Sequence, residues 1–327
     1  MHTECSWARA SWIMGIPGPA WTANPGGKAQ EPENPRTRSQ DANFVPLARV
    51  LRYAFCMSQP PSVLTAPRLW DLVADGYSRE IAPHLAKYAD DALRLAEVGP
   101  GQLIADVACG PGALSLSAAR AGARVLAIDF SPEMIARLRE QCVREGVVSI
   151  DARVGDGMKL PYDNASVDCA FSMFGLMFFP DRTQGFHELN RVLKRMGKAV
   201  VASWVPTQRV PLLADIYRTL GAILPTLPFG GNKPPLGYAD DFRVEMAEAG
   251  FSNITVREVE HTLEVPSVEA FWIALARSTP PIHAVREHLG PERWEQVAHQ
   301  LVESLRAKWG NGPQHVPMIA NLAMGVS

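Results

Sequence analysis

The chain has 327 residues, a formal charge of −2 and 47% hydrophobic residues. This length suffices to bury one large core or two small ones. The charge provides no basic field overall, which argues against nucleic acid as the default partner. The five cysteines form no CxxC pair, so neither a disulfide framework nor a zinc knuckle is expected. A reducing compartment fits better, and we expect a cytoplasmic protein.

Membrane spans and metal sites are not expected either. The most apolar stretch, 169–180, is too short to cross a bilayer. The eight histidines show no HExxH spacing, and we predict no metal site.

Residues 1–56 differ from the rest of the chain. They are rich in Pro, Gly, Arg, Asn and Trp and lack a regular hydrophobic period, a composition typical of disorder. Amphipathic patterning begins just after Met57. We therefore expect an N-terminal extension over 1–56 and one domain over 57–327. Two origins for the extension stay open: sequence upstream of a biological start at Met57, and an organellar transit peptide.

The pattern after Met57 changes from helical to alternating. Residues 66–98 have a helical period that Gly76 and Pro83 divide into pieces. Short apolar runs then alternate with amphipathic helices, the last of which is closed by Gly197. The five runs predict strands at 103–109, 124–130, 149–156, 166–174 and 198–205. Strands and helices alternating at this spacing indicate a parallel sheet covered on both faces.

The C-terminal third predicts two more strands and added helices. Residues 206–250 are rich in Pro and Gly and end in a helix, and 267–308 have a helical pattern. We expect these segments to form a helical cap on the substrate side. The strands near 253–265 and 315–325 should pair, the last one antiparallel.

A glycine-rich loop followed by two further acidic residues is the motif that best indicates a ligand-binding site. A strand ends at Asp106, and the chain turns through Gly110 and Gly112 into a helix whose free N–H groups attract negative charge. Asp129 and Asp156 end the next two strands, so all three acids meet at one edge of a parallel sheet. An acid at the second strand end faces the ribose hydroxyls of a bound nucleotide. Three carboxylates would repel a pyrophosphate but suit an adenosine without phosphate.

Four segments resemble the class I methyltransferases, and within them the UbiE/Coq5-like group of small-molecule methyltransferases. They are DVACGPG (106–112), IDFSPEMI (128–135), the stretch 154–179 and the stretch 187–204. The chain departs from the family at Ala108, where a glycine is usual, and at Arg195-Met196, where Pro-Gly is usual. The resemblance is strong over 100–205 and loose over 66–100.

The resemblance implies a Rossmann-like, doubly wound, mostly parallel seven-stranded α/β sheet with the core over 66–205, and S-adenosylmethionine as cofactor. The implied cofactor contacts are Tyr77, Asp106, Ala108, Gly110 and Gly112 at the methionine end, Asp129 at the ribose, Phe130, Met134, Asp156, Gly157 and Met158 at the adenine, and Phe171 and Ser172, just past the fourth strand, below the sulfonium.

These assignments predict methyl transfer to a small, hydrophobic or aromatic acceptor by in-line displacement at the sulfonium methyl. Phe174, Met177 and Phe178 follow the fourth strand and are expected to line the acceptor pocket. No catalytic residue is assigned. His84, His187, His261 and His283 are candidate bases by residue type alone. Sequence indicates neither the acceptor atom nor the oligomeric state.

Two other functions stay open. The fold could bind the cofactor without methylating, as an accessory protein or as a catalyst of another reaction. An NAD-dependent oxidoreductase is less favoured because the loop lacks the third glycine of GxGxxG and Asp156 does not help to bind a dinucleotide.

Overall fold

The computed structural model describes residues 63–227 and 234–327. The expected extension over 1–56 lies outside these ranges, as does part of the Pro- and Gly-rich stretch. Across the two described ranges, no helix combines the length and the apolar character that crossing a bilayer requires.

Seven strands of the described chain form one sheet. They are β1 (Leu103–Val107), β2 (Arg124–Asp129), β3 (Ile150–Val154), β4 (Val167–Met173), β5 (Leu193–Trp204), β6 (Ser252–Val265) and β7 (Gln314–Val326). Their order is β3-β2-β1-β4-β5-β7-β6. The pairs among β1 to β5 are parallel, and β7 is antiparallel to both β5 and β6. The expected mostly parallel seven-stranded sheet is thus confirmed.

Helices cover the sheet and extend beyond it. They are α1 (Pro67–Gly76), α2 (Ala82–Ala96), α3 (Ala113–Arg120), α4 (Pro132–Glu145), α5 (Arg182–Val192), α6 (Pro211–Ile223), α7 (Ala239–Glu248), α8 (Val268–Ser278) and α9 (Pro280–Trp309). Buried side chains of α2, α3 and α4 pack on one face of the sheet, and those of α5 and α7 pack on the other. This is the doubly wound arrangement that the alternating pattern predicts.

The N-terminal helical region is less divided than its sequence suggests. Gly76 does not separate α1 from the following residues, because Tyr77–Ile81 continue as one π-helical turn into α2. A Cβ on Gly76 would lie 2.3 Å from the backbone oxygen of Arg277. This glycine therefore serves helix packing against α8, and Pro83 is accommodated in the first turn of α2.

The boundary between α5 and β5 was predicted wrongly. The helix ends at Val192, and β5 begins at Leu193, so Gly197 lies inside the strand. Leu193 is buried and pairs with Val167 of β4, which draws the chain into the sheet early. Met196 takes a left-handed φ of 66° at the place where the family usually has Pro-Gly.

A separate apolar cluster holds the added helices together. It joins α1 to α6, α8 and α9 through buried residues such as Leu69, Ile216, Phe271 and Leu301. The pattern analysis missed α6 within the Pro-rich stretch. The antiparallel β6–β7 pair runs past the end of β5, where Trp204 pairs with Ala320, and its outer part contributes Val316 to the same cluster. The added helices therefore pack beyond the carboxyl ends of the parallel strands.

Candidate active site

A cavity of about 280 Å³ opens at the carboxyl ends of β1, β2 and β4. The chain order reverses at β1, which lies between β2 and β4, and open α/β sheets bind ligands at such a switch point. The described lining residues are Leu64, Thr65, Trp70, Tyr77, Ala108, Gly110, Asp129, Phe130, Met134, Gly155, Asp156, Gly157, Met158, Met173, Phe174, Gly175, Phe178, Phe179 and Pro180.

The loop after β1 has an unusual backbone. Ala108, Gly110 and Gly112 all have positive φ angles, of 57°, 54° and 93°. A left-handed alanine carries a steric penalty that glycine avoids, which explains why the family favours glycine at position 108. Asp106 accepts a hydrogen bond from Ser115 Oγ at 2.6 Å and so ties the end of β1 to α3.

The two loop glycines serve different purposes. A Cβ on Gly110 would meet only Tyr77 Cε1, at 3.9 Å, so this glycine keeps the backbone open toward the cavity. A Cβ on Gly112 would lie 2.3 Å from Leu138 Cδ1. Gly112 does not line the cavity, where a ligand contact was expected. Its lack of a side chain instead allows α3 to pack against α4.

Asp129 organises the cavity at the end of β2. Its carboxylate accepts hydrogen bonds from the backbone N–H of Gly110 at 2.8 Å and of Ser131 at 2.9 Å. Burial raises the pKa of Asp129 to about 6, although both backbone bonds oppose the shift. Ser131, and not Asp129, is the N-cap of α4, because its Oγ accepts from Met134 N.

Asp106 lies beneath the glycine loop in a small adjoining cavity of about 30 Å³. Tyr77, Ala108, Gly110 and Met173 line both cavities. Asp106 is 1% exposed, and burial raises its pKa to about 7. Desolvation is the largest cause of this shift in pKa, and it outweighs the opposing hydrogen bond from Ser115.

Tyr77 reaches the cavity from the π-helical turn. Single π turns inside α-helices are often found at functional sites. Burial, with the nearby Asp129 carboxylate, raises the pKa of Tyr77. Its hydroxyl therefore stays protonated and is a potential hydrogen-bond donor at neutral pH.

The third acid is in a different environment from the first two. Asp156 is exposed at the rim of the cavity, and its Oδ1 accepts from Met158 N at 2.8 Å. A Cβ on Gly157 would lie 2.5 Å from Phe179 Cζ, so glycine allows the aromatic wall to pack against this loop. Phe130 and Met134 complete this side of the cavity.

Three residues expected near the reacting atoms face elsewhere. Phe171 and Ser172 do not lie past β4 but within it, both fully buried, and Ser172 Oγ accepts from Leu176 N. The cavity is lined instead by the next residues, Met173 to Gly175. Met177 is also turned inward, where its sulfur accepts from Ser203 Oγ at 3.4 Å. The observed strand, Val167–Met173, lies within the predicted 166–174, so Phe171 and Ser172 belong to the strand itself and the lining begins at Met173.

The aromatic side of the cavity includes residues that sequence reasoning missed. Trp70 on α1 packs edge-on against Phe178, with ring centroids 5.1 Å apart. Its indole N–H donates to Leu64 O at 2.9 Å. Phe174 has a left-handed φ of 62° and stacks on Trp204 at 4.1 Å. In the sequence, the feature that could have predicted this wall is the tryptophan within the helical pattern of α1.

The four candidate histidines do not line the cavity. His84 is buried against Tyr88, and His261 Nε2 lies 2.6 Å from Asp91 Oδ2. His187 is exposed on α5, and His283 lies on α9 beside Glu287. Placement thus gives none of them a role as a base.

Comparison with known proteins agrees with this geometry. Residues 105–201 match the family described as "Methyltransferase domain". An uncharacterised protein of Mycobacterium tuberculosis is 35% identical over 109 residues, which cover 33% of this chain and 39% of that protein. A demethylmenaquinone methyltransferase of Corynebacterium glutamicum is 29% identical over 157 residues, 47% of this chain and 65% of that enzyme. The chain therefore matches less than two thirds of the length of either relative.

One solved structure gives a measure of the fold. The 4+2 cyclase SpnF superposes with a TM-score of 0.51 at 17% identity, covering 82% of this chain and 97% of that chain. At this identity the likeness concerns the fold alone.

The donor set fits S-adenosylmethionine. Two buried carboxylates accept hydrogen bonds at the carboxyl edge, and the Gly110 backbone is open to the cavity. Residues 105–201 thus match a methyltransferase domain, and the sheet topology and the site around them fit S-adenosylmethionine as its cofactor.

Proposed function

We propose that the domain transfers the methyl group of S-adenosylmethionine to a small, flat, apolar acceptor. One observation carries the proposal. A single cavity is lined both by the glycine loop with its acids and by an aromatic wall made of Trp70, Phe178 and Phe179. The first set suits the polar cofactor, and the second suits an apolar partner held next to it.

The residues of the polar part have assigned positions in this proposal. Asp129 accepts hydrogen bonds from the ribose hydroxyls, because each carboxylate oxygen has a second lone pair after accepting one backbone N–H. Asp106 and Tyr77 face the amino and carboxylate groups of the methionine end. The adenine side comprises Phe130, Met134, Asp156, Gly157 and Met158. When bound, the cofactor supplies an activated methyl group.

The apolar part indicates the class of acceptor. Trp70, Phe178 and Phe174 present ring faces and edges, which favour a planar aromatic molecule. The relative from Corynebacterium is named for a quinone acceptor, demethylmenaquinone, and this name supports the same class. The segments 206–250 and 267–308 remain the proposed cap. Their described residues do not line the cavity, and α1 connects them to it.

We propose that the domain works without a protein general base. Among the described lining residues, the ionisable side chains are Tyr77, Asp129 and Asp156, and all three belong to the cofactor side in this proposal. The acceptor then attacks through an atom that is already deprotonated at neutral pH or that loses its proton to water. Alignment of the two reactants accounts for the rate, and such alignment is worth about 7–11 kcal/mol.

An acceptor screen tests the proposal. Purified protein is first examined by native mass spectrometry for bound S-adenosylmethionine. Phenols, hydroquinones and matched saturated alcohols are then compared by release of S-adenosylhomocysteine. We expect turnover with aromatic acceptors and none with their saturated analogues. Cofactor binding without methylation of any acceptor would instead support an accessory role or another reaction.

A further inference from the structure

A second cavity lies in the added helices, outside the site described above. It has a volume of about 270 Å³ and is bounded by α8 and α9. Three arginines, Arg277, Arg286 and Arg306, line it together with Trp272 and Trp294. It shares no described lining residue with the cofactor cavity. We call it the cap groove.

A break in α9 builds the cap groove. Gly290 has a φ of 72° and a ψ of 169°, and Pro291 follows it. The break turns the helix so that Arg286, before it, and Trp294, after it, border the same space. Trp272 of α8 stacks on Trp294 with ring centroids 5.3 Å apart and an interplanar angle of 29°. The two nearly buried indoles form a fixed apolar floor.

The charges around this floor are unbalanced. Glu269 is the only carboxylate among the described lining residues, and it is bonded to Arg306. Within 63–227 and 234–327, neither Arg277 nor Arg286 forms an ion pair with an acidic side chain. A single unpaired surface arginine is ordinary, but here two of them border one apolar cavity.

We propose that the cap groove binds a small organic anion, with a carboxylate or phosphate on an apolar body. Arg277 and Arg286 receive the anionic group, since guanidinium donors match the geometry of both oxyanions. The apolar body rests on the exposed side of Ile273 and on the tryptophan floor. This site is independent of methyl transfer and of the acceptor proposed above.

Binding of benzoate to the full chain tests the proposal, with benzamide as the neutral analogue of the same shape and inorganic phosphate as an anion without an apolar body. Titrations followed by calorimetry or by ligand-observed NMR are made with saturating S-adenosylhomocysteine, which occupies the cofactor part of the first cavity, and the variants below distinguish the cap groove from the acceptor part. We expect benzoate to bind more tightly than both benzamide and phosphate.

Matched variants locate the binding. Arg277→Gln/Arg286→Gln removes the two unpaired cations, and both residues are exposed, so the fold should persist. The control Arg243→Gln/Arg293→Gln removes two exposed cations that do not line the groove. We expect about a tenfold or greater loss of benzoate affinity in the first variant and none in the control. Equal binding of benzoate by both variants, equal binding of benzamide and benzoate, or no saturable benzoate binding up to about 10 mM would each overturn the proposal.

Discussion

Ala108 and Gly175 meet across the ends of β1 and β4, so that a Cβ added to Gly175 would lie 2.3 Å from Ala108 Cβ. Both residues line the cofactor cavity. Ala108 is left-handed, with a φ of 57°, whereas Gly175 has a φ of −97° and a ψ of −49°, which any residue can adopt. Backbone conformation alone would therefore favour glycine at position 108 and alanine at position 175, which is the reverse of what the chain has.

This relationship predicts a reciprocal rescue. Gly175→Ala should lower the free energy of unfolding by about 1–3 kcal/mol through overpacking. Ala108→Gly alone should have an effect near zero, because relief of the left-handed alanine opposes the greater backbone entropy of glycine in the unfolded chain. Combined, the two changes should recover most of the stability lost in Gly175→Ala.

Urea unfolding of the four proteins in this double-mutant cycle checks the prediction. A coupling energy of at least about 1 kcal/mol is expected for residues in direct contact. Additive effects would show that the two positions do not touch in solution.

The second prediction concerns the acid at the end of β2. Asp129→Asn should weaken binding of S-adenosylhomocysteine by about tenfold or more, since charge-assisted bonds to hydroxyls are each worth about 1.5–3 kcal/mol. Stability at pH 8 should change little. The amide can accept only one of the backbone bonds from Gly110 and Ser131, but it also removes a buried charge.

Calorimetric titration beside a melting curve separates binding from folding in this variant. Asp151→Asn serves as the control, because Asp151 is an exposed acid on β3 paired with Arg153. Full affinity in a folded Asp129→Asn protein would contradict the proposed ribose contact.

Local pattern predicted the sheet and the position of the acids because both depend on neighbouring residues. Alternating strands and helices determine a parallel sheet, and parallel strands place Asp106, Asp129 and Asp156 at one edge. The capping of α4 by Ser131, with Pro132 following, was equally local.

What pattern could not predict depends on contacts between distant segments. Trp70 reaches the cavity only because α1 packs over the carboxyl edge. The inward orientation of Met177 depends on Ser203, which lies on the next strand. The start of β5 at Leu193 depends on pairing with Val167. In each case a long-range contact overrides local propensity.

A third prediction concerns proton exchange at Asp106. Its folded pKa of about 7 exceeds the ordinary 3.8 because of burial, so the folded state keeps a proton that the unfolded chain has released. The contribution of Asp106 to the free energy of unfolding is complete below pH 3.8 and is lost as pH rises toward 7. Asp106→Asn should therefore raise the free energy of unfolding at pH 8 by on the order of 2 kcal/mol, while it weakens cofactor binding.

Cofactor binding should also release protons from the wild-type protein near pH 6.5. A positive amino group beside Asp106 would stabilise the ionised carboxylate and lower its pKa. Calorimetry in two buffers with different ionisation enthalpies measures the release. Asp106→Asn should show a smaller release than the wild type, and identical values in the two proteins would exclude Asp106 as the group involved.

The fourth prediction tests the aromatic wall. Trp70→Leu should raise the KM for an aromatic acceptor at least about fivefold, because it removes an indole ring from the cavity wall, and an aromatic pair is worth about 0.5–1.5 kcal/mol beyond its buried area. The Kd for S-adenosylhomocysteine should change less. Leu72→Ala is the control, since Leu72 lies on the same helix but is 45% exposed. A greater loss of cofactor affinity than of acceptor affinity would place Trp70 on the cofactor side.

The last prediction concerns acid stability and His84. This residue is 8% exposed, and its Nε2 lacks a hydrogen-bond partner among the described residues. Burial, with smaller contributions from Lys87 and His261, lowers its pKa from 6.5 to about 4. The unfolded chain therefore takes up a proton at a higher pH than the folded protein does. The contribution of His84 to stability is complete above pH 6.5 and is lost as pH falls toward 4, by up to about 3 kcal/mol.

His84→Leu should flatten the decline in the free energy of unfolding between pH 6.5 and 4, measured by urea titration at several pH values. The His187→Leu variant is the control and should keep the wild-type slope, because the His187 side chain is exposed and not buried as His84 is. A wild-type slope in His84→Leu would show that other groups, and not this buried imidazole, determine acid stability.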